Sequence, residues 1–163
     1  MDIASYKASY NSPCGLIEIC ASETGITSIW FVDRPSVKIN SSSLLVDCIQ
    51  QLQEYFNKRR KTFSIPLDLQ GTDFQKRVWN ELLNIPLGKT SSYLQLAIAL
   101  GDKNAIRAVG GANGKNPVSI IVPCHRVIGP NGDLVGYSGG MDKKEWLLEH
   151  EGILIQQELF AYE

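Results

Sequence analysis

The 163-residue chain has no apolar run longer than about five residues, whereas a membrane-spanning helix needs roughly 20. No CxxC pair occurs among its four cysteines, and it has only two histidines. Neither a disulfide framework nor a zinc site is therefore expected, and a reducing compartment suits it. The opening residues MDIASYKASY carry an acid at position 2 and no apolar core, so they do not read as a secretory signal. A GxGxxG loop and a Walker lysine are both missing, which argues against nucleotide phosphate binding. Strong charge of either sign is missing too: 16 basic and 17 acidic residues leave a net −1. What is present is ordinary for a globular protein, 44% apolar and 20% charged, which excludes a disordered or collagenous chain. The expectation is a soluble cytoplasmic protein of one or two small domains.

The charge is unevenly spread. Between positions 89 and 126 stand Lys89, Lys103, Arg107, Lys115 and Arg126 against the single acid Asp102, a local +4. Acids gather near the C-terminus as Glu145, Glu149, Glu151, Glu158 and Glu163. The basic segment could favour phosphates, or be no more than a solvated face.

Residues 5–10, 16–21 and 26–32 are rich in Tyr, Ile, Trp, Phe and Val and are separated by turn-prone stretches, which predicts an antiparallel meander. Ser41, Ser42 and Ser43 offer caps to a helix carrying Leu44, Leu45, Cys48, Ile49, Leu52, Tyr55 and Phe56 at helical spacing. The basic run 58–61 falls where cations favour a helix C-terminus, with a nucleic-acid patch as the other reading. Residues 66–71 read as a linker. Thr72 followed by Gln75 is a capping-box pattern opening a helix with Phe74, Val78 and Leu82 on one stripe and Trp79 and Leu83 beside it.

Ser91 or Ser92 can cap a further helix through Tyr93, Leu96, Ala97 and Leu100, with Gly101 as its terminator. Asp102 can cap the next one, through Ala105, Arg107 and Ala108 toward Gly110-Gly111. Two short helices joined by a tight turn make a helix-turn-helix candidate. Its second helix has almost no side-chain bulk, which permits close approach to a groove wall or to another helix, whereas major-groove readers present several polar side chains.

Val118 to Val122 is β-branched and predicts a short buried strand running into Pro123-Cys124-His125-Arg126. His125 and Arg126 beside Cys124 would make an electropositive setting that lowers the thiol pKa and raises its reactivity. A buried structural cysteine is the plainer alternative. Gly129-Pro130-Asn131-Gly132 signals a turn. The glycine-rich stretch 135–140 could wall a pocket with backbone amides or be a surface loop. A last helix is predicted over 143–151, where Glu151 opposes the helix dipole unless it has another role.

These motifs together resemble the O6-alkylguanine-DNA alkyltransferases, also called methylated-DNA–protein-cysteine methyltransferases. The resemblance is dense from about Gly71 to Gly152 and looser before it. It rests on Gly71-Thr72-Asp73-Phe74-Gln75, Ile85-Pro86-Leu87-Gly88, Ser92-Tyr93, Arg107-Ala108-Val109-Gly110, Asn116-Pro117, Pro123-Cys124-His125-Arg126-Val127, Gly136-Tyr137-Ser138-Gly139-Gly140 and Leu147-Leu148-Glu149-His150-Glu151-Gly152. It implies an α/β (α+β) fold: a small N-terminal sheet-and-helix domain, residues 1–68, RNase H-like, then a mainly helical domain, residues 69–163. The latter would carry a winged-helix-like helix-turn-helix and the cysteine turn.

The implied activity is direct repair of double-stranded DNA, moving the alkyl group from O6 of guanine irreversibly to Cys124. His125, through a bridging water, would activate the thiol, Glu151 would orient the histidine, and Asn116 would brace the turn. Tyr93 would help push out the nucleotide and protonate guanine N3. Arg107 would fill the vacated stack, with Lys103, Ala105, Ala108, Gly110 and Arg126 also at the DNA. The base would be held by Val127, Tyr137, Ser138 and Gly139, the Ser138 amide donating to O6.

The resemblance implies no cofactor, no metal, no membrane, and a monomer whose cooperative assembly on DNA stays open. No activator module precedes the transferase portion, so a transcriptional role is not expected. Cys124 is retained, unlike in alkyltransferase-like binders, while Ser119 stands where the family often has proline, which bears on tolerance for bulky lesions. A lesion-binding module without repair and a multiple-turnover thiol hydrolase are the competing classes. The former is disfavoured by Cys124 and the latter by the lack of an oxyanion-hole motif.

Overall fold

A computed structural model describes residues 5–36, 40–130, 132 and 134–153. Asn131 of the predicted turn, Glu158 and Glu163 of the acidic group, and the first four residues lie outside these. Two compact units are present: one runs to Gln70 and includes Pro117–Ser119, the other comprises Gly71–Asn116 and the chain from Ile120 onward.

In the first unit, β1 (Tyr6–Ser12), β2 (Gly15–Ala21) and β3 (Ile26–Phe31) form an antiparallel sheet in the order β1-β2-β3. Alternation sets its faces. Ala8 pairs with Ile19 and Ile19 with Ile29, all buried, so one face is apolar across three strands. On the other face Lys7 and Glu18 make a half-exposed 3.7 Å ion pair, an interaction worth little. Helix α1 (Ser43–Phe56) is capped by Ser42 and lies on β1 and β2 through Leu45, Cys48, Leu52, Tyr55 and Phe56.

The basic run 58–61 begins beyond the α1 end at Asn57, and the last turn of α1 holds no cation. Lys58 takes a left-handed conformation, so its backbone amide and that of Arg59 close the helix, on Tyr55 O and Glu54 O. Of the four side chains, Arg60 turns back to pair with Glu54 at 3.2 Å. Gly25 allows a close approach: a Cβ there would lie 2.7 Å from the Leu67 carbonyl carbon, where Ile26 pairs with the 66–68 backbone.

The second unit is built on α2 (Asp73–Leu82), α3 (Tyr93–Ala99), α4 (Ile106–Gly114) and α5 (Met141–His150). Both halves of the Thr72–Gln75 capping box are formed. Val78, Trp79 and Leu82 are the buried side of α2, while Leu83 is exposed, because the helix ends there and the side chain clears the core. Trp79 Nε1 donates to Ala112 O at 2.8 Å, tying α2 to α4.

Ser92 caps α3 and Gly101, at φ +87°, ends it. Arg77 reaches Leu100 O at 2.9 Å, a cation at a helix C-terminus. Asp102 does not cap α4. Its carboxylate accepts from Asn104 N, making a local turn, and α4 starts three residues later from Ala105 with no side-chain cap. Nor does α4 stop at Gly110-Gly111. It continues to Gly114, with Val109, Ala112 and Asn113 buried on one side, so packing outweighs the glycines' poor helix propensity.

The strand predicted over 118–122 is absent. Val118 makes one bridge to Ile29, within the first unit, and Ile120 then takes φ +74°, which breaks the extended backbone into turns. Burial, not strand pairing, explains the β-branched run: Val118, Ile120, Ile121 and Val122 are all core.

Candidate active site

Pro123 leads into a single 3-10 turn, Cys124–Arg126, so the cysteine sits at a helical turn and not at a strand end. The amides of Asn116 Nδ2 and Cys124 N both donate to Val122 O at 2.8 Å, fixing the backbone just before the thiol. On the exit side, Ser91 N donates to Arg126 O and Ile128 N to Ser91 O, a parallel bridge between Ser91 and Val127. That bridge joins the turn to the residue before the α3 cap, which brings Tyr93 into electrostatic contact with Cys124.

Behind the thiol lies a buried ionic cluster. His125 Nε2 is 2.8 Å from Glu151 Oε2, and Arg126 grips the same carboxylate with Nε at 2.8 Å and Nη2 at 3.1 Å. Arg126 Nη1 also donates to Ile85 O at 2.6 Å. Burial alone would raise the Glu151 pKa, but the hydrogen bonds and charges of His125 and Arg126 win and bring it to about 2. Burial lowers the His125 pKa, with Glu151 opposing in part, so the ring is neutral. A carboxylate only accepts, so Nε2 carries the proton and Nδ1 keeps its lone pair. Nδ1 is buried and makes no hydrogen bond among the described residues.

This arrangement overturns two expectations. Arg126 does not stand out at the surface as a DNA contact would: its side chain is buried and bonds to Glu151 and Ile85. Nor do His125 and Arg126 form a cationic setting, since the ring is neutral and Glu151 cancels the guanidinium. Burial pushes the Cys124 thiol pKa up, opposed by the Asn116 side chain, the charge of Lys144 and the local backbone.

Lys144 was not singled out by the sequence, yet it is fully buried on α5. Its Nζ donates to Val127 O at 2.6 Å and to Val135 O, clasping the loop before α5 to the strand-like segment after the cysteine. Burial lowers its pKa to about 8, with Cys124 opposing. The signal was available: Lys144, Leu147, Leu148 and Glu151 fall at i, i+3, i+4 and i+7, so two charges share one buried stripe.

Among the remaining predicted positions, Val127 is buried, Tyr137 and Gly139 are half-buried, and Ser138 is exposed in the turn before α5. On the helix pair, Lys103, Arg107 and Ala108 are exposed and Ala105 and Gly110 partly so. Leu94, Ile98 and Ile106 are exposed apolar neighbours on the same two helices. Among the described residues no cluster of three or more His, Cys, Asp or Glu could hold a metal ion, and no helix is long and apolar enough to cross a membrane.

Two family models match the chain. Residues 5–69 match the ribonuclease-like domain of 6-O-methylguanine DNA methyltransferase, and residues 73–153 match its DNA binding domain. The methylated-DNA–protein-cysteine methyltransferase of Methanosarcina acetivorans is 42% identical over 153 residues, covering 90% of this chain and 98% of the relative. A crystal structure of the Mycobacterium tuberculosis O6-methylguanine methyltransferase aligns with a TM-score of 0.83 at 39% identity, over 96% of this chain and 99% of that one. The structure of the M. tuberculosis protein in complex with DNA aligns at 0.82 and 41% identity, over 90% and 93%.

Proposed function

Because the chain belongs to the 6-O-methylguanine DNA methyltransferase family across both units, we propose that it repairs duplex DNA by taking the O6-alkyl group of guanine onto Cys124, once and irreversibly. The observation that carries this reading is the buried Cys124 turn with His125, Glu151 and Arg126 interlocked behind it. In this reading residues 1–68 are the ribonuclease-like domain, and residues 69–163 bind DNA and carry the transfer. The protein acts as a cytoplasmic monomer.

At rest the thiol is protonated, since burial raises its pKa. His125 Nδ1, holding a free lone pair, takes the thiol proton through an intervening water. Glu151 stabilises the imidazolium that results, and Arg126 keeps Glu151 ionised. The sulfur pair forms the S–C bond, and the C–O6 pair leaves onto the purine. Tyr93 supplies a proton to ring N3, the Ser138 amide donates to O6, and the histidine's proton makes good the phenolate. The balance is thiol plus alkylated guanine giving thioether plus guanine. A thioether resists hydrolysis, so each molecule acts once.

An alkyl group inside the stacked duplex is out of reach of a buried thiol, so the nucleotide must be flipped. Helix α4 presents exposed Arg107 and Ala108 with little bulk at Ala105 and Gly110, which suits close approach in the minor groove. Arg107 fills the vacated stack, Lys103 faces phosphate, and Val127, Tyr137 and Gly139 wall the extruded base. Arg107→Ala is expected to slow repair of duplex more than reaction with free O6-benzylguanine, and equal losses would remove Arg107 from flipping.

The test is to incubate a known amount of protein with excess duplex carrying one O6-methylguanine and to quantify the nucleosides. Guanine restored to one equivalent per protein, and no further, is the expected result. Lesion binding without loss of O6-methylguanine, or turnover beyond one equivalent, would overturn the proposal.

A further inference from the structure

The Tyr93 ring lies directly over Gly110 of α4, where an added Cβ would touch ring carbons at 3.8–3.9 Å. Three residues on, one turn along the same face of α4, stands Asn113. It is 3% exposed, and its Oδ1 is buried with no hydrogen-bond partner among the described residues. An unpaired buried amide oxygen is destabilising where an aliphatic side chain would not be, so packing of α4 does not account for asparagine here. Its influence falls instead on the phenol of Tyr93. Burial raises the Tyr93 pKa and the nearby Cys124 adds to the rise, but a hydrogen bond from the Asn113 side chain pulls the other way, favouring the phenolate.

We propose that Asn113 is a positioning residue for the proton donor: its amide N–H donates to the Tyr93 oxygen and so aims the phenol's own proton at the leaving purine. A hydroxyl can accept and donate at once, so the bond from Asn113 leaves the phenol proton free for transfer. When that proton goes to guanine N3, the same amide stabilises the phenolate until it is reprotonated. The ring's place beside Gly110, on the same face of α4 as Asn113, puts the two side chains within reach of each other. The inference rests on the alkyl-transfer reading, in which Tyr93 delivers the proton.

The experiment is a double-mutant cycle on single-turnover transfer at saturating duplex, combined with titration of ring-labelled Tyr93 by NMR in the DNA-free protein. Asn113→Leu is expected to slow transfer by about tenfold, the order of one hydrogen bond, and to raise the Tyr93 pKa. In a Tyr93→Phe background, it should cause no further loss. Equal losses in both backgrounds, or an unmoved Tyr93 titration, would make Asn113 merely structural and overturn the inference. Should the leucine variant not fold, Asn113→Asp has nearly the same shape with no donor and is expected to act in the same direction. If the wild-type protein transfers no alkyl group at all, the parent reading fails and the role in proton delivery falls with it. The Tyr93 titration then still decides whether the two side chains are hydrogen bonded.

Discussion

Cys48 in α1 and Cys124 after Pro123 are about equally hidden, at 0% and 3% exposure, and burial raises both thiols. Their surroundings differ. Cys48 lies among Leu45, Leu52 and other apolar side chains of α1, and the adjacent Asp47 pushes it further up, to about 12. Around Cys124 the Asn116 side chain, the Lys144 charge and the backbone all oppose burial. His125 follows it in the chain, its Nδ1 without a hydrogen bond among the described residues. Burial by itself makes a cysteine inert. In the proposed reaction, Cys124 would owe its reactivity to the polar groups that the 3-10 turn and α5 hold around it, where burial and Asp47 both push Cys48 the other way.

The largest effect should come from removing the contrast. Cys124→Ser is expected to abolish transfer entirely, measured as label retained in the DNA. Residual transfer would mean that another thiol competes. Next comes Glu151→Gln, which leaves the buried Arg126 uncompensated. Severing such a pair costs about 3–5 kcal/mol, read as a lower denaturation midpoint, and the lost histidine partner should slow transfer by about 100-fold. Glu151 has its folded pKa depressed to about 2 from 4.5. Its stabilisation is therefore full above about pH 4.5 and is lost as pH falls toward 2. The variant should show a flatter acid limb, and an unchanged acid limb would contradict the cluster.

Lys144→Met sharpens the comparison by making Cys124 more like Cys48. About a tenfold slower transfer is expected at neutral pH, because the thiol is harder to ionise without the lysine charge. In the wild type the supporting charge is lost as pH rises through about 8, where Lys144 deprotonates. The rise of transfer rate with pH should therefore break near that value, and the break should vanish in the methionine variant. The smallest effect is for Cys48→Ser, with an unchanged transfer rate and a stability loss of about 1–3 kcal/mol for a buried hydroxyl. A rate change there would mean that the first unit affects the chemistry.

Local features were legible in the sequence because their causes are local. Ser42, Thr72 with Gln75, and Ser92 cap the helices they were expected to cap, and alternation placed all three strands. The 118–122 segment misled because β-branched composition reports burial as well as extension, while the positive φ of Ile120 leaves no mark on composition. Asp102 misled because the same carboxylate chemistry serves a turn or a cap. At the site, Pro123-Cys124-His125-Arg126 stood out at once, but adjacency hid the geometry. Arg126 looked like a free cation until Glu151, 25 residues away, was seen to hold it. Lys144 bonds to backbone oxygens at Val127 and Val135, Asn113 is buried on α4, and neither carries a motif.

The most direct test is intact mass and peptide mapping after incubation with duplex DNA carrying one O6-methylguanine. A single added methyl group, confined to the peptide bearing Cys124 and absent from that bearing Cys48, is the predicted result. A protein that binds the lesion yet stays unmodified, or one methylated on Cys48, would contradict the account.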